Sequence, residues 1–302
     1  MPVDWVSVAV LSALVLGMVN IIDSHLISRR LPSFRAYMLL MGCVVLALGL
    51  ILIYLFPLPK GLGAWPLMVA IASGILRTTS LAILLYTLKR EEVSRVIPVV
   101  NTYPVFVAIM AIPLLGEMLD YRQWLAIIIV VAGVVMVSVR RSQGNSMTWL
   151  GKTFFLLFGS SLLMAMADVS AKYALMHVSS WNMYCITHFC ISGIFLLIAL
   201  RPQVLRELNN SKKSISSIII VIVNEILAVI GVVLLFSAMQ RGPVSLVSTI
   251  FSSRPIFVFI YAFIISRVSP TSLEWEYGKG VLALRLIAII MIVGGIVIIY
   301  LT

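Results

Sequence analysis

The stretch VSRVIPVVNTYPVFV, residues 93–107, returns without a gap as VSLVSTIFSSRPIFV, residues 244–258. Both copies open on Val-Ser and carry a proline twelve residues into the apolar run, at Pro104 and Pro255. The match extends backwards, with Leu85-Tyr86-Thr87-Leu88 falling on Phe236-Ser237-Ala238-Met239. Forwards, Ala132-Gly133-Val134-Val135 falls on Gly294-Gly295-Ile296-Val297 once an extra stretch near 270–280 is looped out. Leu31-Pro32-Ser33-Phe34 pairs more weakly with Val178-Ser179-Ser180-Trp181. Apolar helices resemble one another by chance, but a shared start, a shared proline and the same order of neighbours point to duplication. The halves divide the chain into 1–145 and 146–302.

Around the repeat the chain is 62% apolar and only 11% charged. Soluble domains are about half apolar and a quarter charged, and the departure is toward bilayer spans. A helix needs roughly twenty apolar residues to cross about 30 Å of hydrocarbon. Runs of that size lie near 5–27, 34–56, 65–87, 93–115, 122–139, 153–175, 181–200, 215–239, 244–266 and 281–301. Stretches such as Ile127–Val131 and Ile218–Val223 are apolar on every face, which excludes the alternation of a membrane β-barrel. The reading is an all-α membrane protein with ten transmembrane helices. Five spans per half is an odd number, so the two five-helix repeats are inverted with respect to the membrane.

The net charge of +11 would suggest nucleic acid in a soluble chain. Here Lys and Arg cluster at span ends and set topology instead. One set of loops holds Arg29, Arg30, Arg35, Lys89, Arg90, Arg140, Arg141, Lys152, Arg201, Arg206, Lys212, Lys213, Arg267, Lys279 and Arg285. The other holds little beyond Lys60, Arg122 and Arg241, so both termini are expected outside. Met1 to Asp4 carries no basic residue, which predicts a retained first span rather than a cleaved leader. Cys43, Cys185 and Cys190 show no metal or disulfide spacing and read as free thiols. No metal or cofactor motif and no nucleotide-binding loop is present, so neither an enzyme nor an ATPase is expected.

Charges inside spans are costly and mark function. Arg77 sits mid-span on a stripe with Ser73, Ser80 and Thr87, and has no partner on its own helix. Arg254 precedes Pro255 in the ninth span, on the opposite face of that helix from Ser245, Ser248, Thr249 and Ser252. Ser94, Pro98 and Asn101 partly echo the serine stripe. Asp168 and Lys172 lie four apart, acid first, in the order that favours a pair along one helix. Glu225 lies deep in the eighth span, where a buried pair with Arg254 is one reading. His188 shares a face with Trp181, Cys185 and Ser192, and Asp23 and His25 lie toward the end of the first span. The candidate substrate ligands are Arg77, Arg254, Lys172 and Asn101. The candidate carriers of a coupling proton are Asp168, Glu225 and His188. Pro104 and Pro255 each remove a backbone donor and are the expected hinges.

Pro104-Val105-Phe106, then Leu115-Gly116-Glu117, Gln123-Trp124 and Ala132-Gly133-Val134, resemble the drug/metabolite transporter superfamily, EamA type. The second half departs, with Arg267 and Val268 where Gly-Glu is expected. The resemblance implies a central cavity surrounded by four spans of each half, with the fifth and tenth peripheral. Inverted repeats suit secondary transporters with one central site. The expectation is alternating access to a small anionic or zwitterionic metabolite, with proton-coupled export across the inner membrane by a monomer or homodimer. Proton-coupled efflux of lipophilic cations and a structural membrane subunit are the rivals.

Overall fold

The computed structural model describes residues 4–88, 96, 99–138, 152–209, 214–268 and 279–302. Twelve α-helices run through these residues, and no strand occurs among them. In the first half they are α1 (Trp5–His25), α2 (Phe34–Leu55), α3 (Ala64–Leu88), α4 (Tyr103–Leu115) and α5 (Tyr121–Ser138). The second half holds α6 (Lys152–Ala174), α7 (Ser180–Ala199), α8 (Pro202–Asn209), α9 (Ser214–Arg241), α10 (Val244–Phe251), α11 (Arg254–Val268) and α12 (Lys279–Leu301). Among the described residues seven helical segments are long and apolar enough to cross a membrane, and three shorter apolar helices, at Tyr103–Leu115, Tyr121–Val137 and Leu286–Leu301, accompany them. The short α8 was not expected. Eight residues of mixed charge give no apolar run, and it stays near the charged end, where Ser33 Oγ donates to Glu207 Oε2 at 2.7 Å.

Ser33 and Ser179 cap α2 and α7 by accepting the amides of Ala36 and Asn182, each at 3.2 Å. These caps equate Ser33 with Ser179, one residue away from the weak sequence alignment. At the far end of α1, a π-helical turn over Leu26–Arg30 carries the chain to the loop.

The two prolines expected as hinges each follow a two-residue turn. Pro104 and Pro255 stand in the first turns of α4 and α11, where a missing amide costs nothing. Asn101–Thr102 precedes α4, and Ser252–Ser253 separates α10 from α11. Their hydroxyls take the carbonyls left behind: Thr102 Oγ1 donates to Val99 at 2.7 Å, Ser252 Oγ to Thr249 at 2.7 Å and Ser253 Oγ to Ile250 at 2.6 Å. Ser161 Oγ, from α6, adds a bond to Val99 at 3.1 Å. Ser94, Pro98 and most of the first copy's opening segment lie outside the described residues, as do Lys89, Arg90, Arg140, Arg141, Lys212, Lys213 and the stretch 269–278.

Packing follows the duplication. The extensive pairings α3 with α6 and α1 with α9 exchange when each helix is swapped for its counterpart, and so do α4 with α6 and α11 with α1. The pairs α2 with α7 and α5 with α12 map onto themselves. A Cβ on Gly133 would meet Ile292 at 2.7 Å and the Ala288 carbonyl at 2.9 Å, and one on Gly295 would run into Val130. Small residues let α5 and α12 approach closely, as membrane helices need when lipid gives no hydrophobic drive to associate. One end of the bundle gathers Arg29, Arg30, Arg35, Arg201 and Arg206, with Arg30 Nη1 on Ser216 Oγ at 3.1 Å. The other end holds Lys60, Arg122 and Arg241, and there Phe56 stacks on Trp181 at 4.6 Å.

Candidate functional site

Arg77 finds its partner on another helix. Its Nη2 lies 2.5 Å from Asp168 Oδ1, joining α3 to α6, and this is the one ion pair among the described residues. Ser248 Oγ donates to Asp168 Oδ2 at 2.6 Å from α10. Both carboxylate oxygens are thus occupied, and Asp168 is fully buried. The expected pairing of Asp168 with Lys172 is not formed. Lys172 Nζ instead donates to the carbonyls of Met239 at 2.6 Å and Gly242 at 2.9 Å, where the last turn of α9 leaves acceptors without partners. A lysine held there closes a helix end, away from the arginines at the centre.

The serines flanking Arg77 on α3 are part of the same seam. Ser73 Oγ donates to Ala167 O at 2.7 Å, and Ser80 Oγ and Ser160 Oγ each bond the other's carbonyl, at 2.8 and 3.0 Å. The polar stripe therefore faces α6. Thr87 turns to its own helix, donating to Ile83 O at 2.8 Å.

Arg254 opens α11 just beyond the break and lays its guanidinium over the Phe251 ring, 4.0 Å from the centroid. Among the described residues no carboxylate lies within ion-pair distance of it, and the expected pair with Glu225 is absent. Tyr103, at the matching position of the other half, donates its hydroxyl to Ser248 O at 3.2 Å. Tyr103 and Asp168 thus both reach Ser248, one through its carbonyl and the other through its hydroxyl. A straight helix would have turned Arg254 away from Ser248. The break re-aims it, so the serine stripe and the arginine share one neighbourhood. Asn101 is buried in the equivalent turn before α4.

His188 is buried, its ring 3.9 Å from that of Tyr184 and its Nδ1 3.0 Å from Tyr184 O. Glu225 is 1% exposed and its Oε2 has no hydrogen-bond partner. Its neighbour Asn224 donates Nδ2 to Asp23 Oδ1 at 2.6 Å, and Tyr37 OH donates to the same oxygen at 2.8 Å. Asp23, Tyr37 and Asn224 thus form a second polar centre, on α1, α2 and α9. Asn224 beside Glu225 in an apolar run was the signal for it.

Glu117 acts across the repeats. Its carboxylate accepts Val244 N at 2.5 Å, Ser245 N at 3.3 Å and Ser245 Oγ at 2.5 Å, capping α10. A carboxylate at a helix N-terminus satisfies free amides and meets the positive end of the dipole.

The profile of the EamA-like transporter family matches residues 4–139 and again 151–301. No curated protein matches. A crystal structure of a protein 15% identical in sequence superposes with a TM-score of 0.69, over 97% of this chain and 96% of that one. At that identity the likeness is one of fold.

Proposed function

The chain belongs to the EamA-like transporter family, and from that premise we propose that it moves a small anionic or zwitterionic metabolite by alternating access. The observation that carries the substrate class is the guanidinium of Arg254, without a carboxylate partner among the described residues, at the broken middle of a helix. Arg77 is neutralised by Asp168, so among the described arginines within the spans Arg254 is the cation left to receive a substrate carboxylate or phosphate. Guanidinium geometry suits both groups. The first turn of α11 adds the positive end of a half-helix, the arrangement by which discontinuous helices bind anions at mid-membrane.

The ten spans form two inverted repeats, with both termini outside the inner membrane. Pro104 and Pro255 hold the breaks about which half-helices tilt, while Arg77, Asp168 and Ser248 tie α3, α6 and α10 in one of the two packings. Release of that tie and entry of substrate between the halves would accompany the switch. Export is driven by a proton. Asp168 is committed to Arg77 and Ser248, and His188 Nδ1 faces its own helix, which leaves Glu225 as the carrier.

Flux in sealed proteoliposomes under an imposed pH gradient, with a panel of labelled amino and organic acids, tests this reading. Acids that accumulate against the gradient, and cease to do so in Arg254→Ala, are the expected result. A second reading, efflux of lipophilic cations, draws on the unpartnered Oε2 of Glu225. Movement of such cations alone, sensitive to Glu225→Gln and indifferent to Arg254→Ala, would replace the first reading with the second.

A further inference from the structure

Two carboxylates from opposite halves, Asp23 on α1 and Glu225 on α9, stand near one another, since Asn224, the residue beside Glu225, donates its Nδ2 to Asp23 Oδ1 at 2.6 Å. They meet in surroundings that treat them differently. Asp23 Oδ1 accepts two donors, Tyr37 OH and Asn224 Nδ2. Glu225 Oε2 accepts none, and the adjacent Asn224 Oδ1 is also buried without a partner. Asn224 is fully buried and Glu225 nearly so. Among the described residues no basic side chain lies within ion-pair distance of either acid. The titratable groups turned toward the pair are Tyr37 from α2 and Tyr184 from α7, with Cys185 beside Tyr184. Nearer the charged end stand His25, Arg29 and Arg30, with Arg30 held by His25 Nε2 at 3.3 Å and Ser216 Oγ at 3.1 Å.

Two adjacent carboxylates in a medium of low dielectric cannot both stay ionised, and an unsatisfied buried charge is among the costliest groups a fold can hold. One proton resolves both difficulties. Placed on Glu225 Oε2, it removes one of the two like charges and neutralises a buried carboxylate oxygen that accepts no hydrogen bond. Asp23 meanwhile keeps the two donors that suit an anion. We infer that Asp23 and Glu225 together bind a single proton, carried on Glu225, between α1 and α9, a proton-binding site separate from the Arg77–Asp168 pair. The site bridges the repeats at the α1–α9 contact, so a change in their packing changes how the proton is held. That it drives transport rests on the proposed function; that it binds a proton does not.

Infrared spectroscopy of the purified full chain in lipid nanodiscs tests the site without any substrate. The expected result is a carboxylic-acid carbonyl band above amide I that shifts in deuterium oxide and is lost as pH rises. Its titration is the same in sodium chloride and choline chloride. The band is missing from Glu225→Gln and retained in Glu207→Gln, an exposed acid on α8. A wild-type spectrum with no such band at any pH, or one unchanged in Glu225→Gln, overturns the inference. Bleaching of the band by sodium at fixed pH overturns it too, because the orphaned oxygens would then be ligands for that ion. The wild-type titration stands by itself should Glu225→Gln fail to fold. Failure of the pH gradient to drive flux, with the band present, would sink the coupling reading and leave the site intact.

Discussion

Arg77 of the first repeat and Asp168 of the second are locked at 2.5 Å inside the bundle, with Ser248 holding the other carboxylate oxygen at 2.6 Å. The arginine keeps its Nε buried and unpartnered, and its guanidinium lies 5.7 Å from the Phe236 ring centroid. Removing one member of such a pair strands the other charge, at about 3 kcal/mol or more. Arg77→Ala and Asp168→Ala should therefore each lower the thermal midpoint markedly. The double variant Arg77→Met, Asp168→Leu should recover most of the loss, because no charge is left stranded. Unfolding followed by tryptophan fluorescence in detergent reads this, and a double variant as unstable as either single change would refute the pair as drawn.

Glu117 offers a second stability test. Its three bonds reach the first residues of α10, and losing a charged cap typically costs about 1–2 kcal/mol. Glu117→Ala should lose that much, and Ser245→Ala a smaller part. Glu117→Gln, which still accepts through its amide oxygen but lacks the charge, should fall between wild type and Glu117→Ala. Equal stability of Glu117→Ala and wild type would show that the cap contributes nothing.

Which of these relationships could be read from the chain is a matter of range. The Val-Ser starts and the prolines at Pro104 and Pro255 carry the repeat because they act locally, on the backbone of their own segment. The same prolines did not reveal where α10 ends and α11 begins, since Ser252-Ser253 is a short polar pair inside a long apolar run and small hydroxyl residues also sit within unbroken membrane helices. Partners were harder still. Asp168 and Lys172 have the spacing of a helix pair, yet Arg77 from α3 wins the acid and the last carbonyls of α9 win the lysine. An apolar wheel does not say which neighbour lies across it. Glu117 resembled part of a family motif, but its partner, 127 residues away, was not visible.

The glycines of α5 and α12 discriminate between neighbours in sequence. A Cβ on Gly295 would meet Val130 and, at 3.2 Å, the Ala126 carbonyl, whereas one on adjacent Gly294 would meet nothing within 4 Å. Overpacking of this kind costs about 1–3 kcal/mol. Gly295→Ala and Gly133→Ala should both be destabilised by that order, with Gly294→Ala unchanged. Thermal midpoints of the three variants side by side decide it; parity between Gly294→Ala and Gly295→Ala would mean that α5 and α12 do not pack this way.

Arg254 should separate from Arg77 in function. A guanidinium bonded to a substrate anion is worth about 1.5–3 kcal/mol, or roughly a 10- to 150-fold change in affinity. Arg254→Ala should weaken acid uptake by that factor without a matching loss of stability, since in the described residues it stacks on Phe251 alone. Arg254→Lys keeps the charge but loses the fork and should fall in between. Arg77→Ala should lose stability first. Concentration dependence of initial uptake rates, set beside thermal midpoints, tells the two arginines apart; an unchanged half-saturation in Arg254→Ala would remove it from the site.

The distribution of arginines between the two ends of the bundle predicts a topology that can be tested in whole cells. Arg29, Arg30, Arg35, Arg201 and Arg206 share one end, and basic loops remain on the cytoplasmic side. Lys60, in the loop after α2, belongs to the other end, where Phe56 stacks on Trp181. In a background lacking the three native cysteines, Lys60→Cys should react with an impermeant maleimide in intact cells. Arg206→Cys, exposed on α8, should react only after permeabilisation. Because α2 and α7 each cross from the arginine-rich end to its opposite or back, labelling both ends of both helices also reports their relative direction. Ser179→Cys, at the start of α7, should behave as Lys60→Cys does, and Arg35→Cys, at the start of α2, as Arg206→Cys does. That crossed pattern follows only if the halves insert in opposite orientations; matching labels at Arg35 and Ser179 would show that they insert alike.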